Sequence, residues 1–563
     1  MRVMPTRTIN HASSADHSPR AVNASLCIPE ESFFDRRVAV LLFLLSLAYL
    51  YLFRRYTAME PDEGIILQGS QRILGGQVLY RDFFSFFTPG SYYLLALLFK
   101  IFGSSLSVAR TTLVFLGAIS SVLNYLLARR VCSQGTAFTI AILVTVTALP
   151  FRFLVLHNWD STLWACLALY GAVRLLESPQ WKWAFATGSF ATLTFLFEQS
   201  KGAGLCLGLG AGLLAICAID PRAPRLRRNQ IAALALGLVW PFVVTFTYFA
   251  AQHSLASMLA DWFWPLQHYS LANRVPYGYQ NWSDSTRHQL FGTGSLLVRI
   301  ITALTISPCF LVPVLPIIGA GLLVYWIMQM WQRRAPQPKC AYYVLICSSL
   351  SGLLLSVVIV RADIVHFMYL QPIFLLVLAW IADGRDLPGQ VFKRVRPFLN
   401  AFVLMAFVLF AVALLVRTVT ASNQVVTRRG VVTVPKQDTV IDYVQAHVHT
   451  GESILVYPYL PLYYYLTETF SPTRYEYFQP GMNTPQQAQD LLSQLQSRRV
   501  RVVLFESSFA EKIPHSWPGT PVTAIAHDPV ADYILREYRS CAILQSPSDW
   551  RFLFMVRKDM TCH

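Results

Sequence analysis

The chain has 563 residues, of which 54% are hydrophobic and only 13% charged. Its mean hydropathy is +0.44, and its apolar residues occur in runs of about 20, the length of a helix that crosses a bilayer. This composition excludes a soluble protein of this size. The net charge of +16 does not indicate nucleic-acid binding, because much of the basic excess lies in short loops between apolar runs, as membrane orientation requires. The sequence predicts a polytopic α-helical membrane protein.

The apolar runs and their basic flanks predict about eleven transmembrane helices. Residues 1–31 are polar and lack the apolar core of a signal peptide, and residues 1–37 are predicted to form a cytoplasmic N-terminal tail. The eighth run carries Pro308, Pro313 and Pro316, which predicts a broken or kinked helix. The predicted spans cover approximately residues 38–55, 107–128, 135–152, 160–176, 183–199, 203–219, 230–250, 300–328, 341–360, 367–383 and 397–417.

The basic clusters indicate the orientation of these spans. With the N-terminus inside, the dense groups of Arg and Lys all fall in inside loops, which places those loops in the cytoplasm. The clusters are Arg129-Arg130, Arg222 to Arg228, Arg333 to Lys339 and Lys393 to Arg396. We therefore expect a multi-pass protein of the inner (plasma) membrane with a cytoplasmic N-terminus. The loop 56–106 and everything after residue 417 are then periplasmic or extracellular.

The chain divides into a transmembrane domain over residues 38–417 and a polar C-terminal domain over residues 418–563. Short apolar strands alternate with helices in the second part, which predicts a small α/β domain. Its tyrosine-rich stretch, residues 456–465, faces either the membrane or an acceptor in this interpretation. Cys541 and Cys562 could pair in an oxidising compartment or remain free thiols.

An acidic motif, Glu60–Gly64, follows the first span and is the first candidate site. Carboxylates this close together repel one another unless a cation or a hydrogen-bond donor offsets their charge. One interpretation is a helix start, with Asp62 and Glu63 in the first turn after Pro61. The other is a functional site.

Further polar clusters lie on the same predicted outer face. Ionisable groups at the ends of spans mark sites or pathways, and several such groups on one leaflet predict a single site near the outer headgroups. The carboxylates could act as a base or hold a divalent metal ion that bridges to a substrate phosphate, and the cations could hold that phosphate. The candidate substrate-binding residues are Asp82, His157, Asp160, Lys201, Arg361 and His366.

The stretch from the first span onward resembles a known family. Its residues are Asp62-Glu63, Tyr80–Asp82, Thr88-Pro89-Gly90, Tyr92-Tyr93, Phe102-Gly103 and Arg110. They resemble the first periplasmic loop of the GT-C membrane glycosyltransferases, of the protein O-mannosyltransferase and lipid A aminoarabinose transferase kind. The similarity covers about residues 38–130, is looser over the remaining spans and does not reach the C-terminal domain.

The resemblance implies a GT-C fold and transfer of a sugar from a polyprenyl-phosphate carrier to a lipid, glycan or protein acceptor. By this match Asp62 would be the general base and Glu63 would orient the acceptor or a cation. The cations Lys201, Arg361 and His366 would stabilise the departing phosphate, and a single displacement would invert the anomeric carbon. The aminoarabinose transferases carry Glu-Lys before a Pro-Pro pair, whereas this chain has Phe87-Thr88 before Pro89-Gly90. The resemblance therefore leaves metal dependence and the phosphate site open.

The alternatives to a transferase are two other classes of protein. A transporter or flippase of lipid-linked sugars would place its binding groups near the bilayer midplane, in paired interrupted helices. Here the polar groups lie at span ends on one face. A non-catalytic subunit of glycan assembly would not need the acidic pair Asp62-Glu63. The sequence therefore favours the transferase.

Overall fold

The computed structural model describes residues 33–219, 226–269, 272–332, 339–384 and 390–562. Most of the predicted N-terminal tail lies outside these residues. The helices of the membrane domain and its loops are α1 (Phe33–Tyr51), α2 (Pro61–Leu74), α3 (Gly90–Phe102), α4 (Leu106–Ala128), α5 (Gln134–Phe151), α6 (His157–Glu177), α7 (Trp181–Phe197), α8 (Gln199–Ile219), α9 (Arg228–Ala251), α10 (Leu255–Trp264), α11 (Asp284–Phe291), α12 (Leu296–Ile306), α13 (Pro308–Gln332), α14 (Cys340–Val360), α15 (Ile364–Tyr369), α16 (Gln371–Asp383) and α17 (Gln390–Val419).

Seven helices in the described part of the chain are long and apolar enough to cross a membrane. They are α4, α5, α8, α9, α13, α14 and α17. The multi-pass membrane character is thus confirmed. The helices α1, α6, α7 and α16 coincide with the other predicted spans, but α16 has only 13 residues. At 1.5 Å per residue it is about 20 Å long, shorter than the hydrocarbon core. The number eleven stays a prediction.

The proline-rich eighth run is divided into two helices, as the sequence predicts. The first, α12, ends at Ile306, and α13 begins at Pro308. A proline is tolerated in the first turn of a helix but interrupts the ladder of one that continues through it. The break therefore falls at Pro308, while Pro313 and Pro316 lie inside α13.

The loop between α1 and α4 folds into two helices, α2 and α3. In α3, Tyr92, Leu95 and Phe99 are buried. On its other side Ile101 and Phe102 are more than 60% exposed. One protein-facing side and one exposed apolar side suit a helix at the membrane surface.

The C-terminal domain is α/β, as predicted. Strands β1 and β2 form an antiparallel hairpin, and the other four form a sheet of order β3-β4-β6-β5. In that sheet β3 and β4 are parallel and β6 runs antiparallel to its neighbours. The elements are β1 (Asn423–Thr427), β2 (Gly430–Val434), α18 (Val440–His447), β3 (Ile454–Tyr457), α19 (Leu462–Leu466), α20 (Pro485–Arg498), β4 (Val502–Glu506), α21 (Phe509–Ser516), α22 (Val522–Ala526), α23 (Pro529–Glu537), β5 (Tyr538–Gln545) and β6 (Arg551–Arg557).

Cysteines divide between the two parts of the chain. Cys541 and Cys562 form a disulfide in the C-terminal domain, which decides between the two possibilities left open by the sequence. The other cysteines in the described ranges lie in or beside the helices of the membrane domain.

The C-terminal domain docks directly on the segment between α1 and α3. The amide of Thr57 donates to the carbonyl of Thr433 at 2.9 Å, and the amide of Thr433 donates to the carbonyl of Arg55 at 2.8 Å. Against α2, the backbone of Leu462 lies so close to Gly64 that an added Cβ would be 2.0 Å from its nitrogen. Only glycine fits there. The rings of Tyr463–Tyr465 are at most 1% exposed, so the expectation that this part of the tyrosine-rich stretch faces the membrane or an acceptor is wrong.

Candidate active site

Asp62 lies at the start of α2, directly after Pro61, the first residue of the helix. Its side chain is 30% exposed. The Oδ2 atom accepts a hydrogen bond from Nη2 of Arg152 at 2.7 Å, and Oδ1 accepts one from the hydroxyl of Tyr459. The carboxylate is therefore held by donors from two different parts of the chain while one side remains open.

Arg152 offsets the charge repulsion that the acidic motif would otherwise create. It follows Phe151, the last residue of α5, and its Nη2 also lies 2.5 Å from Oε2 of Glu60. Its carbonyl accepts from Nε1 of Trp159 at 3.1 Å, which fixes the backbone of the turn against α6. One guanidinium thus lies between two carboxylates, while its Nε is buried without a hydrogen-bond partner among the described residues.

Glu63 points away from this opening and is fully buried. Its Oε1 and Oε2 accept from Nε and Nη2 of Arg110 at 2.9 and 2.6 Å. Oε1 also accepts from the amide of Val155 at 3.1 Å. Glu63 therefore ties α2 to α4 and to the segment before α6. Three protein donors therefore occupy the carboxylate oxygens of Glu63. The resemblance to the transferases implied instead that this carboxylate orients an acceptor or a cation.

Lys201 is also surrounded by protein groups and is 2% exposed. Its Nζ lies 2.8 Å from Oε2 of Glu198 and donates to the carbonyl of Asn158 and to Oγ of Ser161, both at 2.9 Å. This network holds the start of α8 against the first turn of α6. Lys201 has its donors engaged within the protein rather than directed at a ligand.

The start of α6 carries the candidates His157 and Asp160. The His157 ring packs on Phe87 with 4.2 Å between ring centroids, and its Nδ1 is buried with no partner among the described residues. His157 lies within electrostatic reach of Asp62 and His366. Asp160 accepts from Oγ of Ser91 at 2.5 Å, which links α6 to α3.

The turn Arg361–His366 forms the opposite side of the site. Asp363 caps α15, and its Oδ1 lies 2.6 Å from Nδ1 of His366. Burial alone would raise the pKa of Asp363, but His366 and Arg361 hold it below its ordinary value. Arg361 also donates to Oδ1 of Asn273 at 3.0 Å and to the carbonyl of Ser516. Its fork is therefore occupied, whereas His366 is 24% exposed.

Tyr369, at the end of α15, connects the two sides. Its ring lies 5.0 Å from Trp159 and 6.1 Å from His366 between centroids. It is also within electrostatic reach of Arg152 and Asp62. The fold thus brings together Asp62, His157 and His366 from clusters far apart in sequence.

Asp82 does not join this group. Its Oδ2 accepts from the amide of Val78 at 2.7 Å, and both oxygens pair with Arg81 at 2.9 Å. These bonds close a tight turn in the loop between α2 and α3. The structure gives Asp82 a local role.

Three residues of the site were missed in the sequence: Arg152, Tyr369 and Tyr459. Arg152 carried a usable signal, because it ends a predicted span on the outer face, where ionisable groups mark sites. Nothing local distinguishes Tyr459 from the other tyrosines of its stretch. Its role depends on contact with Asp62, 397 positions away.

Comparison with proteins of known structure identifies the fold. The chain is similar to the Archaeoglobus fulgidus oligosaccharyltransferase complex with zinc and sulfate, with a TM-score of 0.50 and 13% identity over 92% of this chain and 72% of that one. The fold is that of the GT-C glycosyltransferases. Residues 88–249 match the family described as dolichyl-phosphate-mannose-protein mannosyltransferase, so the predicted resemblance is confirmed.

A second GT-C structure is similar over nearly its whole length. It is ArnT from Cupriavidus metallidurans bound to undecaprenyl phosphate, with a TM-score of 0.49 and 12% identity over 93% of this chain and 97% of that one. None of the curated proteins matches the chain.

The zinc in the archaeal structure raises the question of a metal at this site. Among the described residues, no three His, Cys, Asp or Glu side chains come together as ligands. The carboxylates nearest the opening, Asp62 and Glu60, share the guanidinium of Arg152 instead. This donor set does not fit a divalent cation, and no step is assigned to one.

Proposed function

We propose that this GT-C protein transfers a sugar from a polyprenyl-phosphate carrier to an acceptor hydroxyl at the outer face of the membrane. The observation that carries the proposal is the Asp62 carboxylate, which is held by Arg152 and Tyr459 with one side open. The matched family, described as using dolichyl-phosphate-mannose, supports a lipid-phosphate sugar as the donor.

Asp62 is the general base in this proposal. The acceptor hydroxyl gives its proton to the carboxylate as its oxygen attacks the anomeric carbon. The bond from that carbon to the phosphate oxygen breaks, and the polyprenyl phosphate leaves with the electron pair. Attack opposite the leaving group inverts the anomeric carbon. The hydrogen bond from Arg152 keeps Asp62 oriented.

His366 and Arg152 are the proposed ligands of the carrier phosphate. His366 is fixed through Nδ1 by Asp363, so that as an imidazolium it can direct Nε2–H at a phosphate oxygen. Arg152 has guanidinium N–H groups besides those of Nη2, and these can donate to a phosphate oxygen. We assign Arg361 and Lys201 to positioning, because their donors are already bound to protein groups. His157 contacts the substrate between these two sides.

The phosphate assignment predicts that His366→Gln weakens binding of undecaprenyl phosphate. Loss of a charge-assisted hydrogen bond costs about 1.5–3 kcal/mol, or about 10- to 100-fold in affinity. Binding to the purified protein in detergent measures this change. The matched control is His288→Gln on the short helix α11, which should leave the affinity unchanged. Equal affinities in wild type and His366→Gln would remove His366 from the phosphate site.

We further propose that the N-terminus is cytoplasmic and that the C-terminal domain lies outside the inner (plasma) membrane. The Cys541–Cys562 disulfide supports this orientation, since such bonds persist in oxidising compartments. We expect a membrane-impermeant thiol reagent to label Cys541 and Cys562 in intact, mildly reduced cells. Cys217, exposed near the predicted inner end of α8, should react only after permeabilisation. The reverse pattern would invert the topology.

Mass analysis of lipid-linked sugars and surface glycans tests the function itself. Cells without the protein should accumulate one carrier-linked sugar and lack one sugar on a surface glycan or lipid. Expression of the wild-type chain should reverse both changes. Identical profiles in the two strains would contradict the proposed transfer.

A further inference from the structure

The C-terminal domain reaches the proposed active site at two points. Tyr459 contacts Asp62, the proposed base, and Ser516 and Trp517 contact Arg361 in the turn Arg361–His366. The matched family model covers residues 88–249 and does not include this domain. Its part in the reaction is therefore a separate question.

Tyr459 is held rigidly beside Asp62. It is 2% exposed, and its ring meets Tyr477 and Trp517 edge to face, with centroids 4.6 and 5.7 Å apart. A backbone bridge also joins Tyr459 to Tyr477. With its ring enclosed in this way, the phenol hydroxyl has a defined direction toward Oδ1 of Asp62.

The hydroxyl of Tyr459 acts as a donor. Burial and the neighbouring Asp62 carboxylate raise the pKa of Tyr459 well above its ordinary value. The phenol therefore remains protonated at neutral pH and gives its proton to the hydrogen bond. Oδ2 of Asp62 accepts from Arg152, so each carboxylate oxygen has one fixed donor.

The segment His515–Trp517 links this base to the opposite side of the site. The Trp517 ring lies 5.9 Å from the guanidinium carbon of Arg361, whose Nη2 donates to the carbonyl of Ser516. The carbonyl of His515 accepts from the hydroxyl of Tyr279 at 2.8 Å. One ring, Trp517, thus contacts both Arg361 and the tyrosine that holds Asp62.

From these contacts we propose that Tyr459 is a positioning residue for the general base Asp62, and that the C-terminal domain completes the active site through it. The proposal rests on the proposed transferase function. With the hydrogen bond in place, the carboxylate presents its remaining lone pairs to the acceptor hydroxyl. Without it, Asp62 can turn about its side-chain torsions, and only part of the population is correctly oriented.

The test is Tyr459→Phe in the full-length protein, assayed with polyprenyl-phosphate-linked sugar and the acceptor found by mass analysis. We expect kcat to fall by about 10- to 100-fold, the value of one hydrogen bond to a charged group. The KM values for carrier and acceptor should stay within about twofold, since Tyr459 contacts the base rather than the substrates.

Tyr457→Phe is a matched control. Tyr457 lies in the same domain, is 1% exposed, and donates to Oδ2 of Asp528 at 2.6 Å. The Tyr457→Phe variant therefore loses a buried tyrosine–aspartate hydrogen bond of the same kind. We expect its thermal midpoint to fall and its kcat to stay unchanged. An equal fall of kcat in both variants, or full kcat in Tyr459→Phe, would overturn the proposal. An inactive wild type would instead contradict the proposed function.

If Tyr459→Phe does not fold, two variants of Trp517 decide the matter. Trp517→Leu removes a ring that confines Tyr459 and should lower kcat without changing KM. Trp517→Phe keeps an aromatic ring there and should restore most of kcat. The same kcat in both variants would overturn the positioning role.

Discussion

Asp62→Asn is expected to abolish detectable sugar transfer while the protein remains folded in the membrane. The substitution keeps the size and shape of the side chain but removes the group that accepts the acceptor's proton. General-base catalysis of this kind contributes about 10²- to 10⁴-fold in rate. Transfer in a purified system with a polyprenyl-phosphate-linked sugar measures the loss, and the thermal midpoint in detergent verifies folding.

Asp442→Asn provides the matched control for this experiment. Asp442 is an exposed aspartate in the first turn of α18, so its substitution removes the same charge from the same type of helix position. It lies in the C-terminal domain and belongs to no contact of the site described above. We expect full transfer in that variant. Substantial transfer by Asp62→Asn would exclude Asp62 as the base.

The position of Asp62 could be predicted from sequence because its signal is local. An acidic pair directly after an apolar span, in a chain with few charges, needs only composition and order to be noticed. Its partners could not be predicted in the same way. Arg152 and Tyr459 lie 90 and 397 positions away, and their proximity depends on how helices and domains dock.

Glu63 and Lys201 illustrate a second limit of sequence analysis. Both are ionisable groups in clusters at span ends, and the sequence alone does not tell a ligand-binding charge from one that joins helices. The difference lies in burial and in the number of protein partners. Glu63 receives three donors from the protein, whereas Asp62, its neighbour in sequence, keeps an open side. Adjacent residues at a helix start point in different directions, which gives them different roles.

Gly64 completes the motif for a reason that only packing reveals. In the sequence it follows the acidic pair and suggests nothing more than a turn or helix start. In the fold it lets the backbone of Leu462 approach α2 closely. This approach seats α19 of the C-terminal domain on α2, the helix that carries Asp62 in its first turn. The motif thus combines a proposed base, a buried anchor and a contact for the domain that supplies Tyr459.

Breaking the Glu63–Arg110 pair by removing one partner is expected to cause the largest single electrostatic loss of stability in this region. Both side chains are 0% exposed, and removing one partner of such a pair leaves an uncompensated buried charge, which costs about 3–5 kcal/mol. Glu63→Ala should therefore lower the thermal midpoint of the detergent-solubilised protein strongly, and transfer should fall with the folded fraction.

A double variant separates this structural role from a catalytic one. Glu63→Met with Arg110→Met removes both charges and fills the space with apolar side chains, and such replacements of buried pairs are often neutral or stabilising. We expect it to be more stable than Glu63→Ala and to regain transfer, because Asp62, Arg152 and Tyr459 are intact. As a surface control, Glu511→Gln breaks the exposed pair with Arg551 and should cost at most about 1 kcal/mol. If the double variant regains the wild-type thermal midpoint but not transfer, Glu63 takes part in the reaction directly.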